Sequence, residues 1–278
     1  MIKFSHTLFA LPFAFSSAIL AWSRVPVSLN DIFWILAAMA GARSAAMGFN
    51  RITDVRFDTK NLRTSEREIP AGKISLTSAK IFVAFFSSVF IFSSAMLGKL
   101  CFYLSFPVIV ILFSYSYTKR FTWLSHIYLG FAISLAPAGA WIAITGSFSW
   151  SILLLSLALM TYIAGFDILY ACQDMEFDKK EGLFSIPARF GIKKALRLSE
   201  ILHVFSFVFF FLIHTAFDRN IAYLITVFVI GFLFIVEHQL VKPDDLKNLN
   251  IAFFHVNSLI SITLLTGILS DELIRRLL

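Results

Sequence analysis

Apolar residues in this chain gather into runs that are too long for the strands or helices of a water-soluble core. Hydropathy places them at approximately 29–50, 79–98, 101–118, 124–145, 149–171, 198–216, 221–241 and 250–270, after a first run from Leu8 to Trp22. Each later run matches the roughly 20 residues that a helix needs to cross the hydrocarbon of a bilayer. The pattern therefore predicts an all-α, polytopic membrane protein of about nine transmembrane helices. Pro12, Pro107 and Pro137 fall inside predicted spans, where neighbouring helices can satisfy the carbonyls they free. Lys3 ahead of the first apolar run has the outline of a signal peptide, but with so many spans downstream it reads as an uncleaved first helix.

Composition supports this class. Of 278 residues, 58% are hydrophobic and 15% charged, with 33 Phe and a mean hydropathy of +0.81. Soluble domains lie nearer about 45–50% apolar and about 25% charged. No linker, low-complexity tract or change of composition divides the chain, so residues 1–278 read as a single membrane-embedded domain.

The net charge of +7 is distributed rather than clustered. With the N-terminus in the cytoplasm and loops counted alternately, eighteen of the 24 Lys and Arg fall on the cytoplasmic side. The far side receives Arg24, Lys99, Arg219, Arg275 and Arg276, and Arg43 remains deep inside a span. This bias predicts a multi-pass protein of a bacterial-type inner (plasma) membrane. Its basic residues belong to membrane loops, so nucleic acid is not an expected partner; the lipid bilayer is.

Two polar passages interrupt the apolar pattern, Asn50 to Gly72 and Asp167 to Gly191. Asp54 and Asp58 stand four residues apart, as do Asp174 and Asp178. On a helix each pair shares one face, about 6 Å apart along the axis. Both pairs follow a span and both fall on the cytoplasmic side in the count above. Carboxylates crowded at a membrane boundary repel one another and need cations. The neighbouring Arg and Lys could serve, but the shared spacing, side and position point to a divalent metal. Asp54, Asp58, Asp174 and Asp178, with Asn50 one turn earlier, offer hard oxygen donors suited to Mg²⁺, which keeps water and takes substrate phosphate oxygens. The spacing does not fit a calcium loop.

The basic residues then acquire a partner. Arg43 lies two turns before Asn50 on the same helical face, and a lipid-facing Arg there would cost several kcal/mol, so it should face a polar cavity. Lys119 and Arg120 end another span on the same side, and Arg63, Arg67 and Lys180 lie in the two polar passages. A diphosphate held by metal and such cations accounts for the mixture.

The strings NRxxDxxxDxxNxRTxxRxxPxG (Asn50 to Gly72) and DxxYxxxDxxxDxxxGxxSIPxxxG (Asp167 to Gly191) resemble the two aspartate-rich signatures of the UbiA-type membrane prenyltransferases. The opening from Ile2 to Phe13 and the stretch from Tyr115 through Lys119 and Arg120 are also similar to that family. The usual first signature carries Asn-Asp, whereas here Arg51 replaces the Asp. That departure resembles the branch of 4-hydroxybenzoate polyprenyltransferases and related enzymes acting on dihydroxynaphthoate.

The resemblance implies helices around a central cavity capped by cytoplasmic loops, with the active site facing the cytoplasm. It implies transfer of a polyprenyl chain from polyprenyl diphosphate to an aromatic acceptor in ubiquinone or menaquinone biosynthesis. The acceptor is 4-hydroxybenzoate or, in an alternative menaquinone route, 1,4-dihydroxy-6-naphthoate. Asn50, Asp54, Asp58, Asp174 and Asp178 would hold Mg²⁺. Arg43, Lys119 and Arg120 would neutralise the departing diphosphate. Tyr115 and Tyr170 are candidates to face the allylic cation, and Asp167 to orient or deprotonate the acceptor hydroxyl or to support the metal.

Other features carry less chemistry. Cys101 and Cys172 form no CxxC pair, and Gly72-Lys73 runs into Ile74-Ser75 rather than a phosphate loop. His6 could touch the acceptor carboxylate or serve the fold. His126, His203, His214, His238 and His255 show no metal spacing. A secondary transporter would place its acids near mid-membrane on broken helices, whereas here the pairs stand at span ends.

Overall fold

A computed structural model describes residues 10–277, so Lys3, His6 and the opening string up to Phe9 lie outside the described residues. Among these residues the chain is helical, in the order α1 (Leu11–Trp22), α2 (Leu29–Thr53), α3 (Val55–Asp58), α4 (Leu76–Leu97), α5 (Lys99–Thr118) and α6 (Ser125–Thr145). Then come α7 (Trp150–Ala171), α8 (Met175–Glu181), α9 (Ile186–Phe190), α10 (Ile192–Ala216), α11 (Ile221–Leu240) and α12 (Asn257–Leu277). A 3₁₀ turn at Cys172–Asp174 joins α7 to α8, and a π-helical turn at Ile251–Val256 leads into α12. Eight of these stretches are long and apolar enough to cross a membrane, and α1 is a shorter apolar helix of 12 residues. The protein is a multi-pass membrane protein. Pro12 sits in the first turn of α1, where no helical hydrogen bond is lost, while Pro107 and Pro137 lie inside α5 and α6.

Burial sorts the helices. α7 is the hub: in the continuous stretch Trp150–Glu181 that it opens, 67% of the most apolar 18 residues are enclosed, against 17% for α4 and for α5. The outward faces of α4 and α5 expose Phe85, Phe92, Phe106 and Val110, the surface expected where lipid replaces water. Lipid is as apolar as Leu, so helix association here depends on close packing of small residues. Gly130 of α6 lies so close to α7 that an added Cβ would stand 2.2 Å from the Met160 carbonyl. Gly165 of α7 meets the ring of His203 on α10, leaving 2.4 Å for a Cβ. Within the core, Phe13 of α1 stacks on Tyr162 of α7 at 5.7 Å between centroids.

Side-chain pairs show which helix ends share a face. At one end the Arg276 guanidinium lies 3.7 Å from the centroid of the Trp22 ring and donates to the Trp22 carbonyl at 2.8 Å. Arg24 lies over Trp141 and Phe217, and Arg219 donates to Glu272 at 2.9 Å. The ends of α1, α6, α10 and α12 therefore meet there. The two polar passages meet at the opposite end.

The structure departs from the hydropathy boundaries in two places. α10 begins at Ile192, six residues early, because helix geometry continues through Lys193, Lys194 and Arg197 after the apolar pattern stops. α12 runs on to Leu277 because Asp271 and Glu272, which hydropathy counts against a span, are buried beside Arg219. Arg43 is also joined by another buried charge that the pattern did not single out. Glu237 of α11 is fully buried, accepting from Asn257 at 2.8 Å, with His203 Nδ1 3.5 Å away.

Candidate active site

The first acidic pair arises where a helix breaks. α2 starts on a Ser28–Asp31 capping box and runs to Thr53; Asp54 then takes φ −93°, ψ 4°, and one turn of α3 carries Asp58. Asp174 repeats the device between the 3₁₀ turn and α8, with φ −98°, ψ 4°. Both values lie in the sparsely populated bridge region, which is over-represented among active-site residues. Each pair thus has its first Asp at a helix interruption and its second one turn on, where it shares a face.

Both turns open into one cavity of about 190 Å³. Its walls carry the carboxylates of Asp54, Asp58, Asp167, Asp174 and Asp178 and the cations Arg63, Arg67, Lys119 and Arg120, with Asn50, Tyr115 and Tyr170 beside them. These twelve expected site residues are brought together from α2, α3, the loop after it, α5, α7 and α8. Two are not. Arg43 lies deeper on α2, off these walls, with its Nε buried and without a hydrogen-bond partner. Lys180 is on the exposed side of α8.

Cations hold the acids apart. Arg63 donates to Asp174 through Nε at 3.0 Å and Nη2 at 2.5 Å, and to the Tyr170 hydroxyl at 3.3 Å. Arg67 Nη1 lies 2.7 Å from both oxygens of Asp58, and Arg51 stands 3.9 Å from the same carboxylate. The Arg that replaces the usual Asp of the first signature therefore adds positive charge beside Asp58. Asn50 donates to Asp54 at 2.9 Å. Arg120 donates to the Thr53 carbonyl at 2.8 Å, reaches Asp54 at 3.5 Å, and covers the Phe57 and Tyr117 rings. Burial, and next to it the Asp58 charge, pushes the Asp54 carboxyl above its ordinary range. A Lys60–Glu181 pair at 2.6 Å ties the two capping segments together across the mouth.

Oxygen donors suited to a hard cation are present, and one is left over. Asp178 Oδ2 is buried with no hydrogen-bond partner, and Lys119 Nζ stays 3.8 Å from it. No three His, Cys, Asp or Glu among the described residues form a metal cage by themselves. A cation here would rely on water and a ligand's own oxygens, the manner in which Mg²⁺ binds phosphates. With five acids against four bases on its walls, the cavity suits an anion that arrives with a metal rather than a bare one.

Some members were not evident from spacing. Asn61 donates to Asp174 at 3.2 Å from the opposite passage, and Ser116 lies 3.4 Å from Asn50. Fully buried His126, which has no metal-like spacing, lies 2.6 Å from Asp167. Only the packing of α6 on α7 reveals it.

A helical bundle carrying a mixed acid and base cavity at one end is a membrane protein built to hold a polar, charged ligand at that end, and comparison with known proteins makes the class specific. The model of the UbiA prenyltransferase family matches residues 10–259, and the chain belongs to that family. It is a prenyltransferase. A 4-hydroxybenzoate octaprenyltransferase of Vibrio campbellii is 28% identical over 228 residues, covering 82% of this chain and 79% of that one. The apo structure of a UbiA homolog from Aeropyrum pernix K1 superposes with a TM-score of 0.88 at 30% identity, covering 98% and 99% of the two chains. A UbiA homolog from Archaeoglobus fulgidus, bound to geranyl diphosphate (GPP) and Mg²⁺, shares the fold with a TM-score of 0.72 at 21% identity, covering 96% and 98%.

Proposed function

We propose that the protein transfers a polyprenyl chain from polyprenyl diphosphate to an aromatic acid such as 4-hydroxybenzoate, in a Mg²⁺-dependent reaction of quinone biosynthesis. The observation that carries the reading is the meeting of two separate Asp turns and four cations in one cavity. Asn50, Asp54, Asp174 and Asp178 would hold the metal, with Asp58 close by, and its charge would offset that of the diphosphate and favour its departure.

Lys119, Arg120, Arg63 and Arg67 take the remaining phosphate charge, and they do so most strongly as negative charge builds on the departing oxygen. Arg63 and Arg67 are oriented by Asp174 and Asp58 on the same walls, where their guanidiniums would also reach a diphosphate. Arg43, two turns deeper on α2 and off these walls, adds positive charge at longer range. Tyr115 and Tyr170 add aromatic surface to the cavity wall, Tyr170 with its ring stacked on Phe253 and covered by Arg63, near where the allylic carbon would lie. Asp167 accepts a hydrogen bond from the acceptor hydroxyl. The eighteen cations of the cytoplasmic count support a mouth on the cytoplasmic side of a bacterial-type inner membrane.

The test is direct. Purified protein in detergent or nanodiscs is incubated with geranyl diphosphate, Mg²⁺ and a panel of hydroxybenzoates and dihydroxynaphthoates, and products are read by mass spectrometry. A prenylated aromatic acid formed with Mg²⁺ and abolished by EDTA is expected. Transfer that persists without divalent metal, or no transfer to any aromatic acid, would overturn it.

A further inference from the structure

The strongest group outside the diphosphate-binding walls stands behind Asp167. His126, in the first turn of α6, has no exposed surface. Its Nδ1 lies 2.6 Å from Asp167 Oδ2, while its Nε2 lies 3.4 Å from the backbone nitrogen of Ile186, the first residue of α9. These contacts fix the tautomer. A backbone N–H can only donate, so Nε2 must offer its lone pair, and the ring proton of a neutral imidazole then sits on Nδ1 and is donated to Asp167. Asp167 is thereby held through one oxygen, leaving Oδ1 for the cavity that the residue lines.

We infer that His126 is a positioning residue for the aromatic acceptor. It locks the Asp167 carboxylate in the orientation that receives the acceptor hydroxyl, and it couples that carboxylate to the Ser185-Ile186-Pro187 turn of the second signature. The inference rests on the prenyl-transfer reading for the acceptor, but the tautomer does not. α9 is well placed to set this coupling, because the Ser185 side chain caps its N-terminus, accepting from Ala188 N, and the Phe184 N–H donates to the Lys119 carbonyl at 2.7 Å. The closing turn, the cation at the end of α5 and the Asp167–His126 pair are thus mechanically one unit. Orientation carries large rate effects, since misplacement of a reacting group by about 1 Å can cost 10²-fold.

Three substitutions separate positioning from support of the turn. His126→Asn keeps a donor near the Nδ1 position, His126→Gln keeps a polar atom near the Nε2 position, and His126→Leu keeps neither. The expected result is a loss of about 100-fold in kcat/KM for the acceptor in His126→Leu, with KM for the prenyl diphosphate unchanged. His126→Asn restores most of it and His126→Gln does not. Rescue by Gln and not Asn, or full activity of the Leu variant, overturns the inference; where Leu fails to insert, the Asn and Gln pair decides. Independently of substrate, ¹⁵N-histidine NMR of the wild-type protein should show His126 protonated at Nδ1 and bare at Nε2. An Nε2–H tautomer overturns the inference even in an active enzyme. The expected tautomer in a chain inactive toward every aromatic acid would instead locate the failure in the proposed reaction.

Discussion

Asp174→Asn separates what the second acidic turn does for folding from what it does for chemistry. Asp174 accepts from Arg63 Nε and Nη2 and from Asn61. An Asn side chain retains one acceptor oxygen, so one charge-assisted hydrogen bond is lost. Such bonds are worth about 1.5–3 kcal/mol, but the Arg63 side chain is 34% exposed, and screening brings the cost nearer about 1 kcal/mol. For a chain of this size that is a fall in Tm of roughly 2–4 °C. The catalytic cost is of a different order. Removing an anionic ligand of a metal-bound diphosphate should cost at least about 2.7 kcal/mol of transition-state stabilisation, or about 100-fold in kcat/KM for the prenyl donor. Thermal unfolding in detergent followed by tryptophan fluorescence gives the first number, and transfer of radiolabelled prenyl groups at saturating acceptor gives the second. Activity within a few-fold of wild type would refute the metal role of Asp174. So would a loss of activity that simply tracks loss of folded protein.

Other perturbations test separate parts of the structure. Arg43→Ala should raise the apparent KM for the prenyl donor more than that for the acceptor, and an unchanged donor constant would remove Arg43 from the site. Arg219→Ala leaves buried Asp271 without its guanidinium and Glu272 with Arg276 alone, which should destabilise by about 3 kcal/mol. Its activity at a permissive temperature should stay near wild type, because this cluster lies at the opposite end of the bundle; a stable variant with impaired turnover would contradict that. Gly165→Ala pushes a methyl group into the His203 ring and should cost about 1–3 kcal/mol, seen as a lower Tm. A variant as stable as wild type would show that α7 and α10 can separate without penalty.

Where the chain crosses the membrane was legible in its order of residues. Transfer of a long apolar run into lipid is a local property that depends on which side chains are adjacent, not on their partners. The Asp pairs were legible for a similar reason, since spacing of four on a helix is also local. The charge count placed both pairs at one end, and Arg63, Asn61 and Asp174 in mutual contact bear out that they meet. The boundary of α12 was misjudged because hydropathy treats every charge as exposed, whereas Asp271 and Glu272 are paired inside the protein with Arg219, and that of α10 because the helix continues past the apolar pattern through exposed Lys193, Lys194 and Arg197.

By itself, then, the sequence determined the membrane class, the family signatures and the candidate residues proposed to grip a metal-bound diphosphate. Tertiary structure alone decided which of them share walls: it took Arg43 and Lys180 off the cavity, set Arg51 beside Asp58, and put His126 behind Asp167. The reason is physical. A helix fixes neighbours three and four residues away, while the contact of Nδ1 of His126 with a carboxylate 41 residues later exists only because α6 and α7 pack closely enough, at Gly130, to bring them together.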